Sequence, residues 1–236
     1  KMADRKKYLE YLKTNRANRL DESESLNFAN REIETIFFLL KNFYNFHNNL
    51  NKDLNILDLG CGDKFIQKPI ENLNYTYKGL DIDDLDLEKD RIELPDNSID
   101  IVVSLGLIEA LKNPSHLIKE SYRVLKKDGY IYLVTPNWKM DYKNFYNNFY
   151  HKTPFTPESL ETALKLTKFN EIKTFPGLRC KPKWYYEGKF RFEKAYYLLP
   201  FSNNHFLNYN SKKIKRNWVP EFLKGHARSI IAIAQK

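Results

Sequence analysis

The chain has only two cysteines in 236 residues. Cys61 lies in a glycine-rich turn and Cys180 far from it in sequence, so neither a disulfide framework nor a zinc site can be built from them. Both are expected to be reduced thiols. Long apolar runs are missing too. No stretch approaches the roughly 20 residues that cross a bilayer, and the best candidate, Ile33 to Phe46, is cut by Glu34, Lys41 and Asn42. Residues 1–19 are too charged and polar to form the apolar stretch of a signal peptide. A cytoplasmic protein without a membrane span is expected. The sequence also shows no internal repeat.

What is present suits a folded enzyme-sized unit. Hydrophobic residues make up 42% of the chain, enough for a core in one good-sized α/β domain, or in one domain with an elaborate insertion. The net charge of +9 is unevenly placed. Residues 1–137 carry 20 Lys and Arg against 23 Asp and Glu, a net of −3, whereas residues 138–236 carry 19 against 7, a net of +12. The second part also holds 21 of the 35 aromatic residues. A near-neutral first half and a basic, aromatic second half suit an acidic or sugar-like partner. The same bias also follows from an AT-rich genome, which raises Lys, Asn, Tyr and Phe without functional meaning.

Periodicity outlines the elements. Residues 4–20 read as a charged helix, and Leu26 to Leu50 as an amphipathic one with Ile33, Ile36, Phe37, Leu40, Phe43 and Tyr44 at helical spacing. Strands are expected at Asn55–Leu59, Tyr75–Ile82, Ile99–Leu105, Gly129–Thr135, Asn170–Phe175 and Ser229–Ala234. Helices are expected from Pro114 to Leu125 and from Thr156, as N-cap, through Pro157 to Leu166. Strands alternating with helices imply a doubly wound parallel sheet. Residues 177–225 are rich in Tyr, Phe, Lys and Asn; a stretch of that length is uncommon as plain loop and is expected to contain helices.

The most informative segment is Leu57-Asp58-Leu59-Gly60-Cys61-Gly62-Asp63. A buried strand that stops at Gly-x-Gly lets backbone approach a ligand, because neither glycine presents a Cβ. Asp81 follows 23 residues after Asp58, at the end of the second strand. A carboxylate there offers two oxygens to the two hydroxyls of a ribose. A dinucleotide fingerprint would need glycine at position 65, which is Phe65, so a dehydrogenase is disfavoured.

These residues resemble the class I S-adenosylmethionine (SAM) dependent methyltransferases, in particular their type-11-like group. Asp58-Leu-Gly-Cys-Gly62 is similar to that family's first motif and Gly79-Leu-Asp81 to its second. Asp90-Arg-Ile-Glu-Leu94-Pro95 resembles the adenine-side loop, and Ser104-Leu-Gly-Leu-Ile108-Glu109 the segment after the next strand. Arg123 to Gly129 and Thr135-Pro-Asn137 complete the series, which covers residues 54–137 well and 151–175 in part. The resemblance implies a Rossmann-like, mostly parallel seven-stranded sheet with helices on both faces and an aromatic, basic insertion before the last strand. Residues 1–50 would form helices covering the cofactor site, residues 51–176 and 226–236 the SAM-binding core, and residues 177–225 an acceptor-specificity insertion.

The resemblance also implies roles. Gly60, Cys61 and Gly62 would lie under the methionine portion of SAM, with Asp58 positioning the turn or the amino group. Asp81, with Ile82 beside it, would hold the ribose hydroxyls. Asp90 would accept from the adenine amino group, with Arg91 and Ile92 beside the ring, while Ser104 and Leu105 would flank the mouth. Two departures stand out. Lys64 occupies a place where many members have a small residue, and Ala110 stands where a histidine often follows Glu109. Of the acidic run only Asp81 fits the ribose role; Asp83, Asp84 and Asp86 read as solvated turn residues, and no metal site is expected.

Methyl transfer is chiefly a positioning task, to which an alcohol acceptor adds a general base. Among His47, His116, His151, His205 and His226, His151 is the candidate catalytic base. It opens a stretch similar to the family's His-x(3)-Phe-Thr-x-Glu-x-Leu segment, which faces the acceptor. It also reads as a helix-entry histidine bonded to its own turn. Trp138, Tyr142 and Tyr146 are candidate substrate-binding residues, since aromatic rings stack on sugars or bases. The expected reaction is O-methylation of a small molecule or of a glycan or nucleotide-sugar precursor of surface polysaccharide, with an acceptor that can carry anionic groups. The alternatives are an RNA methyltransferase, which lacks support from any base-flipping motif, and a non-catalytic SAM-binding protein.

Overall fold

Period-two alternation sorts the strand side chains onto two faces, and both faces are apolar. The computed structural model describes residues 7, 22–44, 46, 53–177, 179–187 and 228–236. Among them, β1 (Asn55–Leu59), β2 (Thr76–Leu80), β3 (Ile99–Leu105), β4 (Leu125–Pro136), β5 (Asn170–Pro176) and β6 (Ser229–Gln235) form one sheet in the order β2-β1-β3-β4-β6-β5. β1 pairs parallel with β2 and β3, and β3 with β4, while β6 lies antiparallel between β4 and β5. The sheet is therefore mostly parallel. It has six strands among the described residues, and the expected seventh is not among them.

On one face Leu57, Val102, Ile131, Leu133, Ala232 and Ala234 meet α3 (Pro114–Val124) and α5 (Pro157–Leu166) through Leu117, Ile118, Leu160 and Leu164. On the other, Ile56, Ile101, Val103, Tyr132, Ile231 and Ile233 meet α1 (Glu22–Phe43) through Ile33, Ile36, Leu39 and Leu40. Fully burying each such Leu or Ile contributes roughly 1.5–3 kcal/mol. Helices thus cover both faces. α1 ends at Phe43 rather than near Leu50; Tyr44 follows it and its hydroxyl donates to the carbonyl of Ile233 at 2.7 Å. The expected helix over residues 4–20 lies outside the described residues.

The connections carry the chain between these layers. α2 (Gln67–Glu71) follows the glycine turn, and a single 3-10 turn (Ile108–Ala110) follows β3. β4 starts at Leu125, earlier than its apolar run suggests, and its register on β3 shifts between Ile99 and Ile101. α5 begins as its sequence implies: the Thr156 hydroxyl accepts the Ser159 N–H at 3.2 Å, and the Ser159 hydroxyl accepts the Thr156 N–H at 2.9 Å. α4 (Trp138–Phe145) bends at Asp141, and of the expected insertion residues 177 and 179–187 are described, with α6 at Lys183–Glu187. The remainder of that insertion, residues 178 and 188–225, lies outside the described residues. No helix among the described residues is long and apolar enough to cross a membrane.

Candidate cofactor and acceptor site

The parallel strands β1 to β4 all end on one edge, and the order of the chain reverses between β1 and β3. Ligands of doubly wound sheets bind outside the strand ends at such a reversal. Here the edge is built by Gly60, Asp81, Gly106 and Asn137, the residues that directly follow the four strands. Gly60 and Gly62 take positive φ values of 76° and 55°, a region closed to most side chains. The turn is tied across to the second strand, since the Gly60 N–H donates to the Leu80 carbonyl at 2.8 Å.

Asp81 completes that tie. Its Oδ2 accepts the Gly62 N–H at 2.7 Å and its Oδ1 the Ile82 N–H at 2.6 Å. Each oxygen keeps a lone pair for a further donor. Asp84 in turn accepts the Asp81 N–H at 2.8 Å, so part of the acidic run serves as turn chemistry. Among the described residues no group of three or more His, Cys, Asp or Glu could hold a metal ion.

Beneath the turn sits a buried polar group. Asp58 is 2% exposed, and burial pushes its carboxyl up to about 7, against the Tyr77 hydroxyl that donates to it at 2.9 Å. Cys61 is buried beside it, and burial holds its thiol up at about 12, far from reactive thiolate. Gly79 must be glycine for this packing, because a Cβ there would lie 2.7 Å from the Tyr77 hydroxyl and 2.9 Å from the Cys61 sulfur.

Other expected cofactor residues are placed differently from one another. Asp90 is exposed and its Oδ2 accepts the Asp86 N–H at 2.8 Å. Arg91 is exposed and pairs with Asp96 at 3.5 Å. Ile92 is a core side chain, and its N–H donates to Glu120 at 2.9 Å. Ser104 is fully buried; its hydroxyl donates to the Leu59 carbonyl at 3.0 Å and bolts β3 to β1. Leu105 is partly buried against the α1-side core.

The acceptor-side candidates converge. α4 carries Trp138, whose ring meets Phe145 edge-on at 5.3 Å, Tyr146 at 5.6 Å and Tyr142 at 6.4 Å. Phe145 in turn packs on the His151 ring at 4.7 Å. Phe145 is buried, whereas Tyr142 and Tyr146 are exposed. His151 is fixed by its Nδ1, which donates to the Phe145 carbonyl at 2.8 Å. A carbonyl can only accept, so neutral His151 carries its proton on Nδ1 and its lone pair on Nε2. Burial lowers its pKa. Its Nε2 lies 3.8 Å from Oε1 of Glu109, a residue that sequence reasoning did not single out for the site. Glu109 is buried in the 3-10 turn, and Thr135 of β4 donates to its Oε2 at 2.9 Å. One signal could have flagged it: an acidic residue among Leu107, Ile108 and Leu111, all apolar.

A family model for the methyltransferase domain matches residues 28–173, more than half of the chain. The chain belongs to that family. Its members are SAM-dependent class I methyltransferases, and SAM is their cofactor. The residues of this methyltransferase domain fit such a group. A Cβ added at Gly62 would meet nothing within 4 Å, so the turn opens onto free space beside the Asp81 carboxylate. Among curated relatives, the chain is 23% identical over 104 residues to a ubiquinone biosynthesis O-methyltransferase of Pelagibacter ubique, covering 36% of this chain and 43% of that one. It is 29% identical over 97 residues to a probable SAM-dependent methyltransferase of Mycolicibacterium smegmatis, covering 35% and 38%. The chain thus matches less than half the length of either. The crystal structure of a SAM-dependent methyltransferase from Archaeoglobus fulgidus shares the fold at a TM-score of 0.53 and 23% identity, over 87% of this chain and 94% of that one.

Proposed function

We propose that this methyltransferase domain transfers the SAM methyl group to a hydroxyl oxygen of a small molecule or of a glycan or nucleotide-sugar precursor of surface polysaccharide. The observation that carries the reading is the Nε2 lone pair of His151, left bare by the Nδ1 bond to Phe145 and set beside an aromatic group partly open to solvent. The curated relative named for O-methylation supports oxygen as the target atom.

Bound SAM supplies a methyl group on a sulfonium, a leaving group that already carries its charge. In this reading Gly60 and Gly62 would let backbone approach the methionine portion, Asp81 would grip the ribose, and Asp58 would position the turn or the amino group. Asp90 and Arg91 face the adenine from the loop after Asp81. Trp138, Tyr142 and Tyr146 would hold the acceptor, and His151 would take the proton of its hydroxyl. Positioning in line contributes most of the rate, and a base of suitable pKa about 10²–10⁴-fold. The domain works in the cytoplasm in this reading. The net +12 of residues 138–236 favours an anionic acceptor and is the one observation that also favours RNA. Incubation with radiolabelled SAM and a panel of nucleotide-sugars, quinols and RNA tests the reading. Label in a sugar or quinol supports it, and label in RNA alone overturns the acceptor class.

A further inference from the structure

We infer that Glu109 and His151 titrate as one coupled pair, in which the charge on Glu109, a positioning residue, sets how readily Nε2 takes a proton. The inference rests on the reading of His151 as the acceptor's base. It starts from the geometry. The Nδ1 proton of His151 is committed to the Phe145 carbonyl, so neutral Nε2 presents only a lone pair. Oε2 of Glu109 receives the Thr135 hydroxyl, the residue's own N–H also donates to the carboxylate, and Oε1 lies 3.8 Å from Nε2. The two side chains are 15% and 4% exposed, so little water separates or screens them. At 3.8 Å the two atoms are too far apart to share a hydrogen bond, but a carboxylate charge at that distance acts on the protonation of the ring.

The surroundings say when that charge is present. Burial pushes the Glu109 carboxyl up to about 7 and lowers His151, so each charged form is disfavoured. Around the pair, Thr135 comes from β4, Asp141 from α4 and the Phe145 carbonyl from the end of α4. Arg228, just before β6, lies 3.9 Å from Asp141 and offsets part of its charge, and Lys152 follows His151 in an exposed place. Near neutral pH Glu109 takes up a proton and its charge beside Nε2 is removed. Above that pH the carboxylate faces Nε2 and favours proton uptake from an acceptor hydroxyl. The pair borders the turn that follows β3: Gly106 has a φ of 75°, and Oε1 lies 3.6 Å from the position its Cβ would occupy.

The test follows the ring nitrogens of histidine by 15N NMR across pH, in the full chain saturated with S-adenosylhomocysteine. In the wild type the Nε2 resonance of His151 is expected to move in two steps, because interacting groups titrate as a pair. Glu109→Gln keeps an acceptor for Thr135 and is expected to abolish the upper step, leaving a single step at or near the lower one. A single step at the same pH in both proteins overturns the pair. His151→Gln, followed through the 13C carboxyl resonance of Glu109, gives the reciprocal result: a displaced Glu109 titration supports the pair and an unmoved one refutes it. Calorimetry of S-adenosylhomocysteine on each variant separates this from the functional reading. Undiminished affinity with no titration coupling sinks the pair alone, whereas absent affinity in the wild type sinks the methyltransferase site.

Discussion

The carboxylate of Asp81 accepts the N–H of Gly62 at 2.7 Å, so the end of the second strand closes the glycine turn of the first. One side chain thereby both shapes the turn and offers oxygens to a ligand. Asp81→Ala should weaken SAM binding by roughly 1.5–3 kcal/mol, from two charge-assisted bonds lost to the ligand, with a further loss from the freed turn. Isothermal calorimetry measures it. Unchanged affinity would remove Asp81 from the ribose role.

The two glycines of the turn should fail in different ways. A Cβ at Gly60 would lie 2.7 Å from Cδ2 and 2.8 Å from Cβ of Leu107. Gly60→Ala is therefore expected to lower stability by roughly 2–4 kcal/mol, through overpacking and left-handed strain. At Gly62 the added atom meets nothing within 4 Å. Gly62→Ala should fold with a loss of roughly 1–2 kcal/mol, yet bind SAM poorly. Thermal denaturation and calorimetry on both variants distinguish the two. Equal stability losses would contradict this division of roles.

From sequence, a side chain at Gly60 would be expected to block the cofactor's path; the structure puts Leu107 there first. The difference is instructive, because strand ends and the Gly-x-Gly turn are local patterns, whereas the neighbour of a turn is set by a strand far away in sequence. β1 and the capped start of α5 were legible for that local reason. α4 was not, since its eight residues break at Asp141. Ser104 and Ile92 carry the right residue types for the family's motifs, but period-two alternation and core packing turn their side chains inward. Glu109 figured only as part of a motif, although an acidic residue among Leu107, Ile108 and Leu111 was the local sign of its burial.

Asp58 makes stability depend on pH. Its carboxyl is raised from 3.8 to about 7 by burial, so the folded chain holds a proton that the unfolded chain releases earlier. Its favourable contribution is complete below about pH 4 and is lost as pH rises through about 7. The melting temperature of the cofactor-free chain should therefore fall across that window. Asp58→Asn, which keeps an acceptor for Tyr77, should flatten the fall. An identical pH profile in the variant would contradict the assignment.

His151→Ala should lower turnover by about 10²–10⁴-fold with SAM affinity unchanged. Single-turnover kinetics on an acceptor found by the labelling panel reads the first quantity and calorimetry the second. Full turnover would return His151 to the role of a histidine bonded to its own turn.

Salt separates the acceptor classes. A sugar or nucleotide-sugar with one or two charges should lose little affinity between about 50 and 200 mM salt, whereas RNA touching about 6–10 phosphates should lose about 10³–10⁵. Lys212, Lys213, Lys215 and Arg216 form the densest basic cluster and lie outside the described residues. Replacing all four with Gln should leave SAM binding intact. A steep salt slope that this change flattens would favour RNA.

Calorimetric titration of the wild-type chain with SAM tests the central claim most directly. One saturable site with a dissociation constant in the micromolar range, about −7 to −8 kcal/mol, is the predicted result, with the signal lost in Gly62→Ala. No saturable binding by a chain shown to be folded would contradict it.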